Sequence, residues 1–86
     1  MPELSRFYGI VIRMFYRDHN PPHFHAEYGD ESAIIDISTL AIIEGRLPAR
    51  ATGLVAEWAS IHQQELSQRW EEARRHEPLE KIAPLR

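Results

Sequence analysis

Apolar and polar residues alternate in two runs in the first half of the chain, at residues 7–17 and residues 23–28. A period of two is typical of a strand with one buried face. The pattern therefore predicts two β-strands, each with alternate residues in a core. The predicted core positions are Tyr8, Ile10, Ile12, Met14 and Tyr16 in the first strand and Phe24, Ala26 and Tyr28 in the second.

Five residues, DHNPP at positions 18–22, separate these two strands. This length suits a β-hairpin loop, and the tandem prolines stiffen the loop where their missing N–H groups cost least. The loop length also predicts how the outward residues pair across the two strands. The predicted pairs are Arg17 with His23, Phe15 with His25, and Arg13 with Glu27.

A third strand is predicted after a two-residue turn at Asp30 and Glu31. This register places Asp36 on the outward face opposite His25, because a slip of one residue would bury its carboxylate. The predicted inward residues of this strand are Ala33, Ile35 and Ile37. Residues 40–44 provide a candidate fourth strand, whose pairing the sequence does not determine.

The pattern changes after Gly45, where apolar residues follow a spacing of about 3.6 residues. Pro48 suits a first helical turn, and Trp58 and Trp70 follow at helical spacing, which assigns both to the core. One long helix and two shorter helices fit this pattern equally well. The sequence thus predicts one α+β domain over residues 1–86: a three- to four-stranded antiparallel β-hairpin meander with its C-terminal helices packed on one sheet face.

Composition narrows the classes of function. The 86 residues can bury one modest core, and the absence of cysteine excludes disulfides, thiolate metal sites and a cysteine nucleophile. The net charge of -3 argues against broad, salt-driven binding to nucleic acid. No stretch approaches the roughly 20 apolar residues of a membrane span. We therefore expect a cytoplasmic protein with no membrane association.

The outward face of the predicted sheet concentrates the residues that can carry chemistry. The simplest interpretation is a solvated face whose charges pair across strands, since antiparallel sheets commonly leave one face wet. Three features point beyond it: the histidines, the stiffened loop and an aromatic ring among charges. The residues of this face are Arg13, Phe15, Arg17, His23, His25, Glu27 and Asp36, with Asp18 and His19 in the adjoining loop.

RNA or a partner protein is the first predicted ligand of this face. Basic side chains beside an aromatic ring can bind phosphate and stack a base, and a histidine oriented by a carboxylate can act as general base on a ribose 2′-hydroxyl. This chemistry requires no metal or other cofactor, and none is predicted. The predicted binding residues are Arg13, Phe15, Arg17 and His19, and the predicted catalytic residues are His25, Asp36 and His23.

Metal binding is the alternative. His23 and His25 project from the same face of a strand, and His19 or Asp36 could complete a three-ligand site with an open position. Such a site would make the chain a metal-binding protein or a metal-dependent hydrolase. The positive charges of the two arginines on this face disfavour a bound cation, which places this alternative second.

The sequence also resembles a known family from Phe7 onward. The segments that carry the resemblance are FYGIVIRMFYRDHNPPHFHAEYG, IIDI, EGRLP, EW and EPLEKIAPL, of which HNPPHFHAEYG is the most specific. They resemble the bacterial domain-of-unknown-function 4160 family. The resemblance implies a small cytoplasmic bacterial protein of unestablished activity, often encoded beside another small protein. By analogy we expect a regulatory or toxin–antitoxin-like protein, with RNA, the neighbouring gene product or a second copy of the chain as its partner.

Overall fold

The computed structural model describes residues 2–16 and 18–86, which form a five-stranded sheet followed by two helices. Neighbouring strands are antiparallel, and their order in the sheet follows the chain. The predicted α+β class is confirmed, whereas the sheet has five strands rather than three or four. The strands are β1 (Glu3–Phe7), β2 (Ile10–Arg13), β3 (His23–Tyr28), β4 (Glu31–Asp36) and β5 (Ile42–Gly45), and the helices are α1 (Ala49–Ile61) and α2 (Gln63–Arg74).

The first predicted strand is in fact divided between two strands, because the chain turns at Tyr8 and Gly9. Both residues have positive φ, of 50° and 80°, as the central residues of a type I′ hairpin turn do. Tyr8 is therefore 54% exposed, and its predicted place in the core is wrong. Tyr16 and Tyr28 are also exposed rather than buried. The other predicted core residues of these strands are buried: Ile10, Ile12, Met14, Phe24 and Ala26.

The strand registers differ from the predicted ones by two residues. Arg13 lies opposite His25 rather than Glu27, and Asp36 lies opposite His23 rather than His25. Because side chains alternate with a period of two, an even shift keeps each residue on its predicted face. The predicted core residues of the third strand are accordingly buried: Ala33, Ile35 and Ile37.

The loop between β2 and β3 is longer than predicted, because β2 ends at Arg13 and β3 begins at His23. Phe15 therefore lies in this loop, and its predicted pairing with His25 in the sheet is wrong. Arg17, which was predicted to pair with His23, lies outside the described residues. The longer loop gives the chain room to fold back toward the start of β3.

The two later turns also differ from the simplest expectation. Gly29 and Asp30 connect β3 to β4, one residue earlier than predicted. The candidate fourth strand is β5, which pairs antiparallel with β4. Asp36 shapes the turn that connects β4 to β5, because its Oδ1 accepts hydrogen bonds from the backbone N–H groups of Ser38 and Thr39 at 2.7 and 3.0 Å. Such side-chain to backbone bonds are a common device in turns.

The helical half contains the two shorter helices, with His62 between them. Trp58 of α1 and Trp70 of α2 are buried, as predicted, and they join one core with the inward residues of the sheet. Within the described part of the chain, neither helix combines the length and apolar character that a membrane span requires. Because both tryptophans pack on the inward residues of the sheet, the helices cover one sheet face and leave the other open.

The residues after α2 run back along β1. The backbone N–H of Ile82 donates to the carbonyl oxygen of Leu4 at 2.7 Å, and Trp58 Nε1 donates to the carbonyl oxygen of Ala83 at 2.8 Å. Ile82 is buried in the core. This segment, residues 79–86, contains no helix or strand, and it belongs to the packed structure at the edge of the sheet far from β5.

Candidate functional site

The sheet face opposite the helices carries the candidate site. Arg13, His25, Ile34 and Glu44 lie in direct register across the four strands from β2 to β5. None of these four residues is buried. They form a row that a ligand can reach from solvent.

Three side chains meet on this face where β3 begins. Asp18 Oδ2 lies 2.8 Å from His23 Nε2 and 3.3 Å from His25 Nε2. One potential ligand atom from each residue lies within 4.8 Å of the other two. We name this group the Asp–His cluster (Asp18, His23 and His25). Two imidazole nitrogens and a carboxylate oxygen are a donor set that Zn²⁺ and similar ions use.

β3 and the loop before it position the cluster. The two histidines are two residues apart in β3, so their side chains leave the strand on the same face. The loop returns Asp18 to them, and Asp18 Oδ1 accepts a hydrogen bond from the backbone N–H of His19 at 3.1 Å. The carbonyl oxygen of Pro22 accepts a hydrogen bond from the backbone N–H of Ile37 at 3.0 Å. This bond attaches the loop to the chain that follows β4.

Aromatic rings pack against both histidines of the cluster. The ring of Phe15 meets His25 edge-on at a centroid distance of 4.4 Å, and the ring of Trp70 lies 5.1 Å from His23. His23 is only 6% exposed, because Trp70 packs against it. The prediction that His23 lies on a solvated face is therefore wrong. Its ring is held in one orientation before any ligand binds, which lowers the entropic cost of binding.

The contacts of His23 define its proton arrangement. Its Nδ1 lies 2.7 Å from the carbonyl oxygen of Pro21, which can only accept, so Nδ1 carries a proton and donates. In a neutral imidazole, Nε2 is then an acceptor. Yet Nε2 lies 2.8 Å from Asp18 Oδ2, and a carboxylate oxygen is also an acceptor. A proton on Nε2, or a cation shared by both atoms, makes this contact favourable.

The environment of Asp18 favours its ionised form. Burial raises the pKa of the Asp18 carboxyl group, but hydrogen bonds from His25, His23 and the backbone N–H of His19 outweigh burial and hold this pKa below its ordinary value. The carboxylate is therefore negatively charged near neutral pH. A negative charge beside two imidazole rings favours a cation at the cluster.

The structure groups the predicted catalytic residues differently from the sequence. The carboxylate of Asp36, which was predicted to orient His25, binds backbone N–H groups in its own turn. Asp18 provides the carboxylate beside His25 instead. Sequence reasoning placed Asp18 only in the adjoining loop. The available signal was its position five residues before His23, in a loop that must return to β3.

The predicted binding residues are only partly brought together. Arg13 Nε pairs with Glu27 Oε1 at 3.2 Å, and the ring of Phe15 packs against the cluster. The side chain of His19 is 94% exposed, and its Nδ1 lies 3.5 Å from Asp18 Oδ1 on the solvent side of the cluster. Arg17 lies outside the described residues. The structure therefore places Arg13 and Phe15 beside the cluster but already in contact with other side chains.

A groove of about 180 Å³ opens beside the Asp–His cluster. It is lined by the cluster, by residues 19–21, and by Ile34, Ile43 and Glu44. The two isoleucines give the groove an apolar surface, and Glu44 adds a second carboxylate. A volume of this size suits a small molecule or one end of a larger molecule.

These observations define a small α+β protein with an antiparallel meander sheet, helices on one face and an Asp–His cluster on the other. The chain belongs to the family described as Domain of unknown function (DUF4160), whose model matches residues 9–71. The match includes all three residues of the cluster, and it confirms the resemblance seen in the sequence. No curated protein and no solved structure matches the chain.

Proposed function

We propose that the protein binds a divalent transition-metal ion, with Zn²⁺ as the reference ion, through Asp18 Oδ2, His23 Nε2 and His25 Nε2. The observation that carries this proposal is that Asp18, His23 and His25 each place one potential ligand atom within 4.8 Å of the other two. A carboxylate oxygen and two imidazole nitrogens can each donate a lone pair to one ion.

The hydrogen bond from His23 Nδ1 to the carbonyl oxygen of Pro21 supports the same proposal. A histidine that binds a metal through one ring nitrogen usually donates its other N–H to a carbonyl or carboxylate. This second bond selects the tautomer and orients the ring toward the ion. His23 has this arrangement, and Pro21 lies in the loop that also carries Asp18.

The distances within the cluster suit an ion of this kind. Zn–N and Zn–O bonds of about 2.1 Å place two ligand atoms of a tetrahedral site roughly 3.4 Å apart. The observed separation of Asp18 Oδ2 from His25 Nε2, 3.3 Å, matches this value, whereas the separation of 2.8 Å from His23 Nε2 must widen. Three protein ligands leave a further position for water or a substrate.

The positive charge of Arg13, which disfavoured metal binding in the sequence, is largely offset. Arg13 Nε pairs with Glu27 Oε1 at 3.2 Å. An ion pair acts on its surroundings as a dipole, whose field falls off faster than that of a single charge. The charge nearest to the bound ion is then that of Asp18, which attracts it.

Binding of RNA or a partner protein, as in a regulatory or toxin–antitoxin-like protein, is the second candidate function. The observation in its favour is that Arg13 and Phe15 adjoin His25, as this hypothesis requires. It has less support than metal binding, because both side chains are engaged by neighbours. The oriented pair of His25 and Asp36 that would perform proton transfer also gives way to a pair of His25 and Asp18.

Isothermal titration calorimetry of the EDTA-treated protein with Zn²⁺ tests the proposed function. We expect one ion per chain and a loss of affinity of about 100-fold or more in His25→Ala and Asp18→Asn, because losing even an outer hydrogen bond to a ligand costs about 10–100-fold. Titration with Co²⁺ provides a second measurement, since its visible absorption reports tetrahedral coordination.

Asp30→Asn is the matched control, because it removes a carboxylate from an exposed turn outside the cluster. Its Zn²⁺ affinity should equal that of the wild type. Absence of Zn²⁺ binding by the wild type, or equal binding by His25→Ala, would contradict the proposal. RNA binding by the metal-free protein that depends on Arg13 would then promote the second candidate.

A further inference from the structure

We infer that Glu44 is the general base of a hydrolytic reaction at this site, with a small uncharged carboxylic ester as the substrate. The inference rests on the proposed metal function, and it assigns a role to a residue outside the Asp–His cluster. Glu44 accepts a proton from a water molecule at the open coordination position of the ion.

The position of Glu44 in the sheet carries this inference. Glu44 lies opposite Ile34 in the pairing of β4 with β5, and Ile34 lies opposite His25 in the pairing of β3 with β4. Adjacent strands are about 4.8 Å apart, so the backbones of His25 and Glu44 are roughly 10 Å apart across the sheet. Both side chains line the same groove. The imidazole and the carboxylate therefore reach one space from different strands.

The carboxylate of Glu44 lies outside the ligand set of the cluster. Arg46, the basic residue nearest to Glu44 in the sequence, pairs with Glu31 at 3.1 Å rather than with Glu44. A general base must reach the proton it removes directly or through one water molecule. A carboxylate that lines the groove but lies outside the ligand set can meet this requirement without competing for the metal.

The lining of the groove selects the class of substrate. Two carboxylates, those of Asp18 and Glu44, line it, and none of its described lining residues is lysine or arginine. These two carboxylates cancel the charge of a divalent ion held by the cluster, so the groove has no net positive charge that would favour phosphate esters or other anions. Ile34 and Ile43 provide apolar surface for a small acyl group. An uncharged ester matches both properties, and its carbonyl group becomes more electrophilic beside a metal ion.

The reaction balances without a further reagent. A water molecule would give one proton to Glu44 while its oxygen forms a C–O bond with the carbonyl carbon of the ester. An ion held by the cluster would supply the acidity of that water and would polarise the carbonyl group. The bond between that carbon and the alkoxy oxygen then breaks. Glu44 returns its proton to the leaving alkoxide, so the products are a carboxylic acid and an alcohol.

Hydrolysis of 4-nitrophenyl acetate by the zinc-loaded protein, compared with its EDTA-treated form, tests the inference. We expect zinc-dependent hydrolysis by the wild type and a kcat lower by roughly 100-fold in Glu44→Gln, because a general base contributes about 100- to 10,000-fold. KM and Zn²⁺ affinity should change little in this variant, because Glu44 is not a ligand. Glu57→Gln is the matched control: it removes the same charge from an exposed position in α1 and should keep full activity.

The possible failures are distinguishable. If the wild type does not bind Zn²⁺, both the proposed function and this inference are overturned. If it binds Zn²⁺ but zinc does not accelerate hydrolysis, or if Glu44→Gln keeps the wild-type kcat, only the role of Glu44 is overturned. A joint loss of activity and Zn²⁺ affinity in Glu44→Gln would make Glu44 a ligand, which also overturns its role as base.

Discussion

His23 connects the Asp–His cluster to the core of the protein. One face of its ring packs against Trp70, its Nδ1 donates to the carbonyl oxygen of Pro21, and its Nε2 faces Asp18. His25 lies two residues further along β3, and its side chain is more exposed, at 22% against 7% for His23. The two histidines should therefore differ in their contribution to stability.

This difference gives a prediction for the metal-free protein. His23→Ala should lower the free energy of unfolding by roughly 2–4 kcal/mol, because it leaves a cavity beside Trp70 and removes a buried hydrogen bond. His25→Ala should cost at most about 1 kcal/mol, as expected for a partly exposed side chain. Urea denaturation in EDTA measures both values. Equal losses of stability would show that Trp70 does not support His23 in the way described.

The choice between two aspartates shows where sequence reasoning fails for single residues. The presence of a carboxylate beside the histidines is predictable from composition, since Asp18 and Asp36 both lie near them in any hairpin arrangement. Which aspartate contacts His25 depends on the path of the loop from residue 14 to residue 22. A period of two carries no information about that path, so the wrong carboxylate was chosen.

At the scale of elements, β5 depends on a close approach at Gly45. This glycine has a φ of +79°, and a Cβ atom built on it would collide with the carbonyl oxygen of Ser32 in β4. Gly29, in the turn after β3, also has a positive φ of 60° but has open space around it. Substitutions at the two glycines therefore separate the free-energy cost of a left-handed backbone conformation from that of a steric collision.

We expect Gly29→Ala to lower the free energy of unfolding by about 1–2 kcal/mol, the cost of a left-handed conformation. Gly45→Ala should cost roughly 2–5 kcal/mol, because overpacking adds to that strain. Chemical denaturation of both variants, with hydrogen exchange of the β5 amides, measures the difference. A Gly45→Ala variant as stable as Gly29→Ala would mean that β5 shifts away from β4 at little cost.

The elements also show why the fold was more predictable than its details. The register of β3 differs from expectation by two residues, yet His25 and Glu27 stay on the open face, because only an odd shift exchanges the faces. The missed turn at Tyr8 and Gly9 has a different cause. Tyrosine is an uncommon residue at positive φ, so the alternating pattern appeared to continue through the turn.

At the scale of the whole molecule, the last residues complete the core. Ile82 is buried, its N–H donates to Leu4, and the next residue, Ala83, accepts the indole hydrogen bond of Trp58. Arg69 Nε also donates to the carbonyl oxygen of Glu80 at 2.9 Å. The segment therefore joins β1 to both helices, although its sequence predicts no helix or strand.

Ile82→Ala should lower the free energy of unfolding by roughly 2–4 kcal/mol, as expected for a large-to-small substitution in a core. For a domain of this size the melting temperature should fall by roughly 10 °C or more. Lys81→Ala is the control, because Lys81 is exposed and should cost at most about 0.5 kcal/mol. Thermal unfolding followed by circular dichroism measures both, and similar melting temperatures for the two variants would refute a structural role for the segment.

The four residues of β5 are all exposed, and the strand lies at the edge of the sheet. Edge strands with few buried contacts open at lower free energy than the core of a domain. The Asp–His cluster lies on β3 and its loop, so the ligands and Glu44 belong to parts of the molecule with different local stability. With rising denaturant, ester hydrolysis should therefore disappear before Zn²⁺ binding does. At intermediate denaturant concentrations the protein should therefore still bind Zn²⁺ but no longer hydrolyse the ester.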